Sequence, residues 1–355
     1  MDTILAPSSV AALVDAVRAT PRLIPVGAGT KPRLSHVAEG VVRLSTQQLR
    51  GIIDYEPSEF TFTALAGTPL QEIVSALAER GQYLPFDPLL AEAGATLGGT
   101  VAAGLSGPGR YRFGGLRDFI LGVRFVDGEG RLLRLGGRVV KNAAGFDIPK
   151  FLVGSVGRFG VLTEITFKVF PRPAATQTLR LEAKDAAAKA AIFADAANKR
   201  WELDALDAGI EDAAVFMRLA GPPVALEALA DEILGRWPGA RMASGEADTF
   251  WQTIAGMRWA HAAGVLAKIA LTPVQVVDFA AVVRAQPGAR AWVSAGGNVG
   301  FLSLPAGVSV PALPWPGLTL RGEAPLWLGP QVRFEVMRAV KAALDPQNRF
   351  PQLDD

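Results

Sequence analysis

The chain has 355 residues, half of them hydrophobic and 20% charged, more apolar material than one core uses, since single cores stop growing near roughly 250–300 residues. Thirty-six Lys and Arg against 34 Asp and Glu leave a net charge of +2, and the basic residues are scattered, which argues against a nucleic-acid-binding protein. There is no cysteine, and His36 and His261 are the two histidines, so disulfides, thiolate nucleophiles and an iron–sulfur cluster held by this chain alone are excluded and a histidine metal site has too few donors.

The opening MDTILAPSS carries an acid and no basic stretch, unlike a secretion signal, and no apolar run reaches the length of a membrane span. The expectation is a cytoplasmic protein. Ser8 is placed to cap a helix whose apolar face is Val10, Leu13, Val14 and Val17. RLIPV then reads as a short strand running into PVGAGTKP, residues 25–32, where Gly27 and Gly29 bracket a turn whose N–H groups could form an anion nest. A G-x-G-x-x-G match fails there because the third glycine falls on Pro32, and no Gly-Lys-Ser/Thr supports a Walker A loop. VVRLS (41–45) and FTFTALAG (60–67) alternate like strands. Thr68-Pro69-Leu70-Gln71 is a capping-box pattern opening a helix with Leu70, Ile73, Val74 and Leu77 on its apolar face, stopped by Gly81.

Eight glycines fall between Gly94 and Gly115. Leu97, Val101 and Leu105 recur among them at near-helical spacing, so the stretch reads as ordered main chain that a ligand approaches closely rather than as a linker. The arginines from Arg110 to Arg138 interleave with glycines like a phosphate pocket. FILGVRFVDGEGRLLRL is a hairpin with Asp127-Gly128 in its loop, VGSVGRFG is a second glycine turn, and VLTEITFKVF is a strand ending at Pro171 and Pro173. Those prolines mark an expected boundary, giving domains 1–172 and 173–355 with the C-terminal segment returning to the first. Beyond it, strands near 177–182, 204–209 and 213–219 with helices near 185–199 and 223–236 are followed by helices near 249–259 and 273–285 and strands near 264–271, 289–294 and 299–304. That predicts an antiparallel sheet with helices on one face, an α+β layer. Residues 305–329 read as proline-rich and irregular, and a last helix spans about 331–344.

PVGAGT, GATLGGTVAAGLSG, RDFILGVRFVDGEG and VVKNAAGFDIPKFLVGSVGRFGVLTEITFKV, in this order, resemble the FAD-binding domain of the vanillyl-alcohol-oxidase (PCMH) type, and LDPQNRF is similar to the ending of its 2-hydroxyacid-oxidising branch. The KNAAGFD and AGLSGP variants most resemble the smaller, E-type flavin subunit of glycolate oxidases. The resemblance implies an α+β fold, a two-subdomain FAD-binding domain followed by an α+β cap domain with antiparallel sheet. It also implies non-covalent FAD. Pro25, Val26, Gly27, Ala28, Gly29 and Thr30 would wrap the pyrophosphate with Lys31 as a mobile counter-charge. Thr96, Leu97, Gly98 and Gly99 would line its other side, and Ala102, Gly104, Leu105, Ser106 and Gly107 would lie against the flavin ring. Gly157, Gly160 and Val161 would close over the cofactor. A helix stop is the lesser reading of Gly104 and of Gly107, and His36 reads as a loop residue rather than a flavin link.

Oxidising a 2-hydroxy acid needs a cation for the carboxylate and a base for the hydroxyl proton. The stretch Ser294–Phe301, SAGGNVGF, which resembles the cap segment carrying the base in catalytic relatives, has neither imidazole nor carboxylate. Arg110 and Arg258, with Arg112, remain carboxylate candidates, with a surface ion pair as each one's simpler reading; Trp251 and Trp259 read as core, and His261 as packed against a helix. The resemblance implies an FAD-binding subunit of a glycolate oxidase complex, with a larger catalytic FAD subunit and an iron–sulfur subunit as partners, cytoplasmic or peripheral to the inner membrane through them. The alternatives are a self-sufficient D-lactate-type dehydrogenase and a scaffold subunit without chemistry.

Overall fold

The computed structural model describes residues 3–36, 39–137, 147–331 and 334–353, except the side chain at 334. Arg138 and most of KNAAGFD lie outside the described residues. The chain falls into two compact units: Met1–Leu105, Leu116–Pro171 and Val332–Asp355 form one, and Ser106–Gly115 with Arg172–Gln331 the other.

The first unit holds two sheets. Ile4–Leu5, Val42–Ser45 and Leu23–Val26 pair in parallel in that order, covered by the helix Val10–Ala19 through Leu13 and Val17, both fully buried. The cap of that helix is Ser9, whose hydroxyl accepts from the Ala12 N–H at 3.1 Å. The expected Ser8 sits one residue too early to reach it.

The second sheet is antiparallel, in the order Ile52–Glu56, Thr61–Leu65, Val161–Lys168, Ile120–Val126, Leu132–Gly136. Its first strand was not expected, because IIDYE lacks a clean alternation. Val161–Lys168 is central and buried on both faces, with the short helix Leu97–Ala103 packed on it. Thr68 does not cap the following helix. Its buried hydroxyl donates to the Leu65 carbonyl (2.7 Å) and accepts from the Gly51 N–H (2.9 Å), and the helix Leu70–Ala78 starts after Pro69 with no side-chain cap. The C-terminal helix Phe334–Leu344 belongs to this unit. Past it, Lys341 Nζ donates to Asp345 (2.6 Å) and to the carbonyls of Arg158, Phe350 and Pro351, while Asp345 accepts from the N–H groups of Arg349 and Phe350. The tail is thereby clamped with Phe350 in the core beside Leu13 and Leu23.

Among the described residues of the second unit, nine strands form one antiparallel sheet. Their order is Gly239–Arg241, Ala175–Glu182, Ala214–Gly221, Leu203–Gly209, Arg290–Ser294, Val299–Leu304, Val265–Ala270, Gly317–Arg321, Trp327–Leu328. The last two strands lie in the stretch read as irregular, where the prolines fall between the strands instead of breaking them. Helices Ala186–Asn198, Pro223–Arg236 and Val276–Arg284 pack on one face through residues such as Phe193, Ile233 and Phe279, against Leu179, Met217 and Val293. The expectation of helices on one face fails for Ser244–Ala255. Its Trp251 donates to Thr178 Oγ1 (2.9 Å) and its Phe250 stacks on Phe216, residues that alternate to the opposite face from Leu179 and Met217.

Candidate functional site

A hollow of about 710 Å³, counting space open to solvent, lies in the first unit. Three loops form it. The first leaves the strand Leu23–Val26 and is pinned by Thr46 N–H to the Val26 carbonyl (2.9 Å) and by Gln47 Nε2 to the Gly27 carbonyl (3.2 Å). The N–H groups of Gly27, Ala28, Gly29 and Thr30 donate to no acceptor among the described residues. Consecutive N–H groups left open in a turn are a ready anion nest. Gly29 has φ +70° with open space beside it, whereas a Cβ on Gly27 would overlap Thr96 Oγ1.

The second loop precedes and opens the helix Leu97–Ala103. Thr96 caps it by accepting from Gly99 N–H (3.2 Å), and Gly98 N–H donates to the Ala66 carbonyl (2.7 Å). The approach is so close that a Cβ on Gly98 would sit 2.8 Å from the Ala66 methyl. The third loop turns at Val156 and Gly157, with φ +49° and +70°. A β-branched residue in the left-handed region is strained, and it is held there by Val156 N–H donating to the Ala102 carbonyl at 2.9 Å.

Lys31 stands at this hollow, only 7% exposed. Its ammonium donates to Thr30 Oγ1 at 2.9 Å, and no carboxylate pairs with it among the described residues. Burial holds its pKa down to about 8. Expected from the sequence as a mobile counter-charge, Lys31 is here buried and hydrogen-bonded to Thr30, a desolvated cation placed where an anion can meet it. Open N–H donors, walls that a Cβ would fill and a buried unpaired ammonium together fit a dinucleotide pyrophosphate.

Of the residues singled out in the sequence, Pro25 through Lys31, Thr96, Gly98, Gly99, Ala102, Gly157, Gly160 and Val161 line this hollow. Leu97 and Leu105 are core instead, at 0% and 1% exposure. Gly104 is the helix stop, with φ +60° and packed on Gly154. Ser106 and Gly107 belong to the second unit. Sequence reasoning missed Thr46, Ala66, Ser155 and Val156 among the lining residues; only the strained Val156, inside VGSVGRFG, left a signal. Three arginines of the expected phosphate-pocket run are held in ion pairs among the described residues. Arg124 pairs with Glu164 (2.6 Å), Arg131 with Asp127 (2.7 Å) and Arg112 with Glu202 (2.7 Å).

In the second unit the turn after Arg290–Ser294 has three successive left-handed residues, Ala295, Gly296 and Gly297. Asp207, fully buried, holds it by accepting from Trp292 Nε1 (2.8 Å), Ser294 Oγ (2.9 Å) and the Ala295 N–H (3.1 Å). Burial pushes its carboxyl up to about 6 against those hydrogen bonds. Sequence reasoning named no carboxylate for this turn, because Asp207 lies on a distant strand. Lys268, on Val265–Ala270, has its pKa brought down to about 8 by burial and by the Arg110 guanidinium. Arg112 also donates to the Ala220 carbonyl (3.0 Å), and Arg258 is exposed. Trp251 is core. His261 contacts the Gly288 carbonyl (2.8 Å) rather than a helix, and His36 is exposed at the end of a single 3₁₀ turn.

Residues 1–136 match the FAD_binding_4 family, described as an FAD binding domain. Glycolate oxidase subunit GlcE of Escherichia coli (strain K12) is 41% identical over 235 residues, 65% of this chain and 63% of that protein. D-2-hydroxyglutarate dehydrogenase of Xanthomonas citri pv. viticola is 31% identical over 144 residues, 41% of this chain and 30% of that protein. The chain thus matches somewhat under two thirds of the one relative and under a third of the other. An alkyldihydroxyacetonephosphate synthase structure superposes with a TM-score of 0.68 at 16% identity, covering 98% of this chain and 76% of that one, which shows a shared fold. Two of the three loops at the hollow, around residues 25–31 and 96–102, fall within residues 1–136, the stretch that is similar to the FAD binding domain of that family.

Proposed function

We propose that the chain is the FAD-binding subunit of a 2-hydroxyacid oxidoreductase complex that oxidises glycolate to glyoxylate and passes the electrons to an iron–sulfur partner subunit, alongside a larger catalytic flavin subunit. The observation that carries the cofactor reading is Lys31, a desolvated ammonium with no carboxylate partner among the described residues, beside four open N–H groups. In this reading the N–H groups of residues 27–30 and Lys31 hold the pyrophosphate, and Gly98, Gly99 and Gly157 keep side chains out of its way. Bound FAD would supply a two-electron acceptor for the hydride of the hydroxyl-bearing carbon.

A relay role rather than independent catalysis is favoured by the turn at 294–297. Its own residues carry no titratable side chain, and the carboxylate beneath it is wholly buried and fully hydrogen-bonded. The self-sufficient dehydrogenase draws support from Lys268 beside Arg110, a doubly cationic spot suited to a substrate carboxylate.

The test is a visible spectrum of the purified chain, before and after anaerobic addition of glycolate or D-lactate. The relay reading expects a yellow protein that stays oxidised alone and bleaches once the partner subunits are added. Bleaching by the chain alone would support the self-sufficient dehydrogenase, and a colourless protein that takes up no FAD would support the scaffold.

A further inference from the structure

A second hollow in the first unit shares two segments with the first: Leu34 and Ser35 face one while Arg33 and His36 line the other, and Val156 and Gly157 face one while Arg158 lines the other. It is about 810 Å³, open to solvent, with Arg22, Arg33, Arg158, Arg349 and His36 around Phe350. No Asp or Glu lines it among the described residues. Arg22 and Arg349 pair with no carboxylate among the described residues. These cations are not loose on the surface. Arg158 is 2% exposed and donates to the Val156 carbonyl at 2.7 Å. Arg349 is fixed by its Nη1 on the Thr20 carbonyl (2.8 Å), its N–H on Asp345 (2.9 Å) and its carbonyl on the Leu23 N–H (2.8 Å). Its Nε is buried and meets no acceptor.

A buried N–H without an acceptor and several like charges gathered around one cavity are both unfavourable until an anion enters. Guanidinium forks match tetrahedral and planar oxyanions through paired N–H donors. Arg22 and Arg349 bring two such forks to the hollow, and each phosphate group brings several oxygens to meet them. The floor is built from buried Arg158 and Phe350, which suits a compact ligand more than the short side chains of an acidic protein segment. We propose that this hollow binds a small phosphate anion with two or more negative charges, such as a diphosphate or the phosphate tail of a nucleotide, separately from the dinucleotide hollow.

The experiment is a calorimetric titration of sodium diphosphate into the FAD-loaded full chain at constant ionic strength. Saturable one-to-one binding with a dissociation constant on the order of 0.1–1 mM or tighter is expected. Arg22→Gln and Arg349→Gln should each weaken it about tenfold or more while FAD retention is unchanged. Arg22 is exposed at the strand entrance, so that variant leaves folding intact. Absence of saturable binding, affinity in Arg22→Gln and Arg349→Gln unchanged from that of the unsubstituted chain, or binding that disappears when FAD is loaded would each overturn the proposal. So would capture by phosphatidate vesicles with no binding of free diphosphate, since the ligand would then be a lipid headgroup.

Discussion

Replacing Lys31 by Met separates the stability of the empty protein from its affinity for FAD. In the folded chain the ammonium is buried and its pKa falls from 10.5 to about 8. At about 1.4 kcal/mol per pKa unit, the charged form costs about 3 kcal/mol in the folded state relative to the unfolded one. Below pH 8 both states carry the proton and the full cost is present. Between about 8 and 10.5 the unfolded chain binds more protons, so stability rises with pH, and above that the cost is gone. Lys31→Met removes it, offset by the lost hydrogen bond to Thr30 of about 1 kcal/mol, so the empty protein at pH 7 gains about 2 kcal/mol. The pyrophosphate loses a charge-assisted partner of about 1.5–3 kcal/mol, an approximately 10- to 100-fold weaker dissociation constant. Because a bound anion raises the pKa of Lys31 again, FAD affinity in the unsubstituted protein should fall above pH 8, by up to about tenfold per pH unit; in Lys31→Met this dependence should vanish. Denaturant melts of the FAD-free protein and FAD titrations from pH 7 to 10 measure both. A variant that is less stable when empty, or that keeps both the affinity and its pH profile, would refute the reasoning.

Gly98→Ala puts a methyl 2.8 Å from that of Ala66 on a helix held at that distance by the Gly98–Ala66 hydrogen bond; overpacking of this kind costs about 1–3 kcal/mol, and both a lower melting point and weaker FAD retention are expected, so a variant unchanged in both would contradict it. Lys341→Met leaves Asp345 charged in the core with one partner fewer. Breaking a buried pair on one side costs about 3–5 kcal/mol, and denaturant unfolding should show it with the tail of the chain becoming protease-sensitive; an unaltered midpoint would mean the clamp contributes nothing. Asp207, raised from 3.8 to about 6, binds more protons folded than unfolded between those values, so its contribution to stability declines as pH rises through that window and is a constant cost above it. Asp207→Asn should therefore remove that part of the pH dependence between about 4 and 6, and identical difference curves for the two proteins would rule out a titrating Asp207.

Local chemistry carried much of this protein in its sequence. Alternation marked Val161–Lys168 and the hairpin strands Ile120–Val126 and Leu132–Gly136, and helical spacing marked Val10–Ala19, because period-two and period-3.6 patterns are local properties of strands and amphipathic helices; that Val161–Lys168 is buried on both faces was left to the sheet around it. The glycine turns at 27–29 and 157–160 were legible for the same reason: a missing Cβ is a local property, and it matters where main chain needs positive φ or a close neighbour. The tertiary structure alone decided what each of these positions faces. Ser106 and Gly107 share the glycine segment with Gly98 and Gly99, yet the chain leaves the first unit after Leu105 and carries them into the second. Nothing near Lys31 in sequence says that it will be desolvated, and nothing near Ala295 says that a carboxylate 88 residues away will hold its N–H. Burial and electrostatics sum over neighbours in space, so the charges of Lys31, Asp207 and Lys268 acquired their altered pKa values only when the chain folded around them.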